Sequence, residues 1–183
     1  MQTLTDVANL ALARIGSDPI EAIDDTTKEG RLISHLLTSA VDAELRLGTW
    51  RFAERTERLA ALEGAPFGDY ENVFALPADC LRVKEVDETS NWTVAGGRLY
   101  TDSSTATVRY TARVMEPSLW DPLFSDVVSF RLAAELAFAV AASQTLAQQM
   151  WQARDALVGK ARATSSMERT KQTTVDSWIA ARM

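Results

Sequence analysis

Thiol and imidazole groups are scarce in this chain of 183 residues, which holds one cysteine, Cys80, and one histidine, His35. A lone cysteine excludes an internal disulfide, and one cysteine with one histidine cannot assemble a zinc cluster. His35 falls on the polar face of a predicted helix, beside Arg31, Ser39 and Asp42. Those neighbours supply no nucleophile for it to activate. Cys80 follows Leu76-Pro77-Ala78-Asp79 and enters an apolar strand, the setting of a small packed side chain rather than a reactive thiol. No GxSxG, HExxH, GxGxxG or EF-hand spacing occurs, and Gly96-Gly97 lacks the Lys-Ser/Thr of a phosphate loop, so it reads as a hairpin turn. The acidic pairs Asp24-Asp25 and Asp87-Glu88 are adjacent residues in loops, which rarely converge on one reacting atom. No catalytic, cofactor-binding or metal-binding residue is assigned, and an enzyme is not expected.

Long apolar runs are also missing. The longest, Val127–Ala142, is interrupted by Ser129, Arg131 and Glu135, too short and too charged to span a bilayer. No direct membrane binding is expected. The N-terminus lacks a basic stretch and a cleavage site, so it does not read as a signal peptide, and the Asn91-Trp92-Thr93 sequon has no consequence without a secretory route. Basic charge is in deficit, with a net charge of −6, which argues against a protein that wraps nucleic acid on its outer face. The deficit is uneven. Residues 1–149 hold 13 Lys+Arg against 22 Asp+Glu, a net of −9, whereas residues 150–183 hold 6 against 3, a net of +3. An acidic body with a mildly basic end suits contact with an acidic partner or a like neighbour.

What the chain does have is apolar and aromatic mass. Its 46% hydrophobic content can build an ordinary core, and five Trp with six Phe are generous for this size. Thr3 or Thr5 can cap a first helix with Leu4, Val7, Ala8, Ala11 and Ile15 on one face, ended by Gly16. Thr26 or Thr27 opens a second helix to Leu47, with Leu32, Leu36, Ala40, Ala43 and Leu47 as its core stripe, widened by Ile33, Leu37 and Val41. Arg51–Leu62 has good helix formers but begins with aromatics and ends in a linker, and we read it as a strand. Runs rich in β-branched and aromatic residues then follow at Tyr70–Leu76, Cys80–Val86, Asn91–Val94, Arg98–Tyr100 and Thr105–Val114, separated by turn residues. Val108, Tyr110 and Ala112 alternate with Arg109, Thr111 and Arg113, which predicts one buried and one wet face. Asp121 and Pro122 open a third helix to Ala142, apolar enough to require cover almost all round. A fourth helix carries Leu146, Met150, Ala153, Leu157 and Ala161 on one stripe.

The pattern predicts an α+β fold, mainly α: a four-helix bundle built from both chain ends, with an inserted small antiparallel β-sheet. The expected parts are a helical bundle of residues 1–50 and 117–172, a β insertion of residues 51–116, and a C-terminal arm of residues 173–183. Trp50 and Phe52 before the linker, with Tyr70 and Phe74 after it, are expected to pin bundle and insertion together.

Several segments share one order with a known family. They are NLALARIGSDPI, then LGTWRFAERTERLA, then PFGDYENVFALPADCLRV, then DPLFSDVVSFRLAAELAFAVAAS, and the closing DSWIAARM. That order resembles the head-to-tail adaptor (connector) proteins of tailed phages, of the tail tubular protein A type, over nearly the whole chain, although this chain is shorter than the tubular proteins of short-tailed phages. The resemblance implies a virion protein without cofactors: a twelvefold homo-oligomeric ring beneath the portal protein, at the neck of a particle assembled in the host cytoplasm. Such a ring extends the channel through which DNA passes without sequence-specific binding, and offers a surface to the next tail or stopper component. On this chain it implies a subunit or portal interface at Asp176, Trp178, Ile179 and Arg182, and insertion-loop contacts to the next ring at Asp87, Glu88, Asn91 and Asp102. The alternative reading is a monomeric helical module with a β insertion that binds a peptide or small ligand. A third is an enzyme with an unrecognised acidic site.

Overall fold

The computed structural model describes residues 1–63, 68–86 and 91–167, with residues 162–167 as helix backbone. Helix α1 spans Leu4–Arg14 and starts where local chemistry dictates. Thr3 Oγ1 accepts from the Asp6 N–H at 3.1 Å and the Asp6 carboxylate accepts from the Thr3 N–H at 2.8 Å, a reciprocal cap. At the far end Gly16 N–H bonds the Ala13 carbonyl and Ser17 N–H the Leu12 carbonyl, which closes the helix. Helix α2 spans Lys28–Leu47 under a Thr27 cap. Helix α3 spans Pro122–Ala141, with Asp121 accepting from the Leu123 N–H at 2.7 Å, and helix α4 spans Gln144–Met167.

Two helices from each end of the chain thus form one helical body with α3 at its centre, touching α1, α2 and α4. Side chains fasten these contacts. Arg14 pairs with Asp126 at 2.7 Å, and Lys28 Nζ donates to the Ala139 carbonyl at the α3 C-terminus, where carbonyls lack helical partners. Ten residues of α3 are buried, including Phe124, Val127, Leu132 and Leu136, but Phe138 is 63% exposed, so the expected cover is incomplete toward the helix's end. The α2 stripe is rotated from the expected one. Ile33, Leu37, Ala40, Val41, Glu44 and Leu45 are buried, whereas Leu32 and Leu36 are half-buried and Leu47 is exposed. The neighbouring helices select the buried arc, and a wide apolar face offers them several choices.

Between the helix pairs lie the six strands found among the described residues. A single 3-10 turn, Arg51–Ala53, leads into β1 (Glu54–Arg58), so the ambiguous segment is extended over much of its length. Strands β2 (Asn72–Ala75), β3 (Cys80–Val86), β4 (Trp92–Ala95), β5 (Arg98–Thr101) and β6 (Thr107–Ala112) follow. They form two antiparallel three-stranded sheets, in orders β1-β6-β3 and β2-β5-β4. Leu59 is the crossing point. Its N–H bonds Ala106 beside the first sheet, and the next residues turn to the second, with Leu62 N–H on the Val73 carbonyl and Ala75 N–H on the Ala60 carbonyl.

The insertion has its own core, formed by Leu59, Phe74, Val86, Leu99, Ala106, Val108, Tyr110 and Ala112. The helical core is separate. The expected aromatic pin is therefore corrected. Trp50 and Phe52 stack edge-on against Phe124, at 4.9 and 5.1 Å between ring centroids, in the helical core, and Phe74 fills the insertion core. Each aromatic buries itself in the nearer core, where it gains about 1.5–3 kcal/mol by leaving water. Leu81 of β3, which packs against the helical core, and several polar contacts join the two parts instead. Arg113 makes two hydrogen bonds to Asp42 at 2.8 and 2.5 Å, Arg46 Nη1 donates to the Leu81 carbonyl at 2.7 Å, and Arg82 Nη1 to the Arg46 carbonyl at 3.2 Å.

Candidate functional site

Two places concentrate polar groups. The first is inside the helical body. Glu44 lies in the last turns of α2 and is 1% exposed. Arg154 of α4 reaches it with Nε at 3.0 Å from Oε1 and Nη2 at 2.5 Å from Oε2, a bidentate fork. Arg131 of α3 adds Nη1 at 3.1 Å from Oε1 and rests over the Trp151 ring at 5.4 Å. Arg131 Nε lies 3.0 Å from Glu135 Oε1, an ion-pair contact whose angle does not make a hydrogen bond. Burial pushes the Glu135 carboxyl upward in pKa, and the charge of Arg131 opposes that. Three carboxylates, Glu44, Glu135 and Asp155, the last 2.7 Å from Arg154 Nη1, thus pair with two guanidiniums across three helices. Each of these charges has a partner, and the cluster braces the three helices.

The second is the β4–β5 hairpin of the insertion. Gly96 and Gly97, at φ of +57° and +74°, form the two-residue turn between β4 and β5 that only such residues adopt without strain. The register pairs Trp92 with Thr101, so the flanking residues Asn91 and Asp102 share the open end of this hairpin. Both are exposed. Asn72 of β2 joins them, its Nδ2 donating to the Asp102 carbonyl at 3.3 Å. Residues far apart in sequence therefore converge on one surface. Of the other expected contact residues, Asp87, Glu88, Asp176, Trp178, Ile179 and Arg182 lie outside the described residues.

The remaining candidates are quiet. Among the described residues no group of three or more His, Cys, Asp or Glu is placed to hold a metal ion. Burial raises the Cys80 thiol pKa, which keeps it protonated near neutral pH. A cleft lined by Gly48, Thr49, Trp50, Val158 and Ala161 has room for about one water, far below the size of a small-molecule site.

No protein-family model and no curated protein matches the chain.

Two clusters escape sequence reading. Glu44 looks like one more polar residue on a helix, and only its flanking apolar residues Val41 and Leu45 hint at burial. Tyr110 Oη lies 3.2 Å from both Glu57 and Asp79, which come from separate segments and carry no shared spacing.

Proposed function

We propose that this chain is a structural head-to-tail adaptor of a phage or phage-like particle. Copies form a ring, twelvefold by analogy, beneath a portal protein. The ring extends the DNA channel and offers the insertion to the next tail component. The reading needs no catalysis and no cofactor, and places the protein at the neck of the virion. The observation that carries it is the separation of two cores, one braced internally by Glu44, Arg131 and Arg154, the other carrying a hairpin with Asn91 and Asp102 exposed side by side. A rigid body with an outlying contact platform suits a ring component. The ordered resemblance of five segments to head-to-tail adaptors supports the same reading.

Exposed apolar side chains supply further contact surface. Phe138 on α3 and Leu119 beside its start are 63% and 53% exposed. The acidic body disfavours adhesion of DNA in the channel. In this reading Trp178 and Ile179 anchor the arm in a groove of the portal or the next subunit, as large apolar residues do at interfaces.

Negative-stain imaging of the chain mixed with its portal tests the proposal. Rings containing this chain beneath the portal are expected. A chain that stays apart while portal and tail components assemble would sink it.

A further inference from the structure

A helix that ends in a tight corner usually puts glycine at the left-handed position, because a Cβ is strained there. The corner between α3 and α4 uses alanine. It is two residues long, and its first residue, Ala142, has φ of +49° and ψ of +32°. Among the described residues no other non-glycine has a positive φ. The N–H groups of Ala142 and Ser143 both bond the Ala137 carbonyl, and the Ser143 hydroxyl accepts from the Leu146 N–H at 3.2 Å. Those bonds hold the corner against its strain. The stretch from Phe138 to Ala147, FAVAASQTLA, contains neither glycine nor proline, and four of its ten residues are alanine, the strongest helix former. The same residues can therefore run straight and join α3 to α4 in one helix, and straightening removes the strain at Ala142.

The structure itself shows what fits the place that α4 would vacate. Leu146, Ala147, Met150, Leu157, Val158 and Ala161 pack on the helical core. Arg154 forks onto Glu44, and without Arg154 that buried carboxylate keeps only Arg131. An emptied apolar groove with an under-paired buried carboxylate selects a helix bearing this same stripe and this same guanidinium, which is the α4 of a second copy. A docked helix on a short, strained hinge is the arrangement from which identical chains exchange elements.

We propose that two copies of this chain exchange α4 and form a closed two-fold dimer. Arg131 stands eleven residues before Ala142 and Arg154 eleven after Ser143, yet both reach Glu44, so α3 and α4 fold back antiparallel and in step. With both corners straight, two long helices lie side by side in that same antiparallel register, with the corners at the two-fold axis. Each α4 then lies on the other copy's α3, so one exchange brings the return exchange with it and the dimer closes. Arg154 of each copy meets Glu44 of the other. The contacts of α4 are conserved and the strain of two alanines is released. Phe138, exposed and four residues before the corner, comes to the junction of the copies. The entropy of association opposes exchange, so the dimer forms as concentration rises. The inference concerns the free chain and stands apart from the adaptor reading.

The test refolds the full chain from urea over a range of concentrations, because exchange requires α4 to leave its groove, and reads the product by sedimentation velocity. A dimer that grows with concentration is expected. Ala142→Gly relaxes the bent corner and weakens the straight helix, and should raise the dimer dissociation constant roughly tenfold or more. A dimer that A142G leaves unchanged overturns the inference, and would place the contact at exposed apolar side chains such as Phe138. A chain that stays monomeric at every concentration overturns it too. A second arm refolds E44L together with R154L, one of them carrying a mass tag. In the exchanged heterodimer one groove regains Glu44 with Arg154 and the other loses both, so the mixed species should exceed the two homodimers well beyond random pairing. Random proportions overturn the inference. Circular dichroism follows each variant alone. If E44L does not fold by itself, its helical signal should return on refolding with R154L, and failure to return overturns the inference.

Discussion

Arg154 grips the buried Glu44 carboxylate with two nitrogens, at 3.0 and 2.5 Å, and so ties α4 to α2. The backbones of these helices make little direct contact, and the join is made mostly by side chains. A buried ion pair is weak evidence of net stability, because desolvation offsets the attraction. Breaking one is another matter.

Glu44→Gln leaves Arg131 and Arg154 facing each other with their shared anion gone. Their side chains are only 20% and 12% exposed, so water compensates poorly. The expected loss is about 3–5 kcal/mol, read as a lower urea midpoint. The quadruple variant E44L/R131L/E135L/R154L removes the enclosed charges together, leaving only the exposed Asp155, and should be less damaging than E44Q alone. If E44Q costs under about 1 kcal/mol, the cluster is solvated and the brace is wrong.

Gly48→Ala tests the turn out of α2. A Cβ at this position would lie 2.1 Å from the Trp50 indole nitrogen, which donates to the Glu44 carbonyl at 2.9 Å. The ring must move and lose that bond. Overpacking of this kind costs about 1–3 kcal/mol. Unchanged stability together with an unshifted tryptophan emission spectrum would contradict the packing described.

Local chemistry made some of this legible in sequence. Thr3, Thr27 and Asp121 cap helices because each has a side-chain oxygen only two or three bonds from Cα and a helical pattern behind it. The Gly96-Gly97 hairpin is legible for the same reason. Long-range selection was not legible. Nothing near Glu44 shows that guanidiniums from α3 and α4 will bury it, and nothing near Leu59 shows that the chain changes sheets there. The candidate surface was half legible: Asn91 and Asp102 were marked as loop residues, but their common location follows from the Trp92–Thr101 register.

Thr111 carries a third prediction. The alternation along β6 assigned it to the wet face, yet it is 1% exposed, and its hydroxyl has no partner among the described residues. An unpaired buried hydroxyl costs about 1–3 kcal/mol. Thr111→Val keeps the branched shape and removes that cost. A gain of about 1 kcal/mol is expected in chemical denaturation. A loss would show that the hydroxyl has a water or side-chain partner.

Tyr110 supplies a pH dependence. Its ring is buried, and its hydroxyl sits 3.2 Å from Glu57 and from Asp79. Burial first, then the two negative charges, raise its pKa well above the ordinary phenol value near 10. In the unfolded chain the phenol loses its proton near pH 10, whereas in the folded chain it keeps it. Above pH 10 the folded state therefore binds more protons than the unfolded state, and stability falls as pH rises. Below pH 10 both states are protonated and Tyr110 contributes no slope. Thermal melts between pH 8 and 11.5 should show a midpoint that declines above pH 10, more steeply for the original chain than for Tyr110→Phe. Other tyrosines and lysines titrate in this range, so the difference between the two curves is the measured quantity. Parallel curves would mean that the Tyr110 hydroxyl ionises as freely in the folded protein as in the unfolded one, against the geometry of its two carboxylate neighbours.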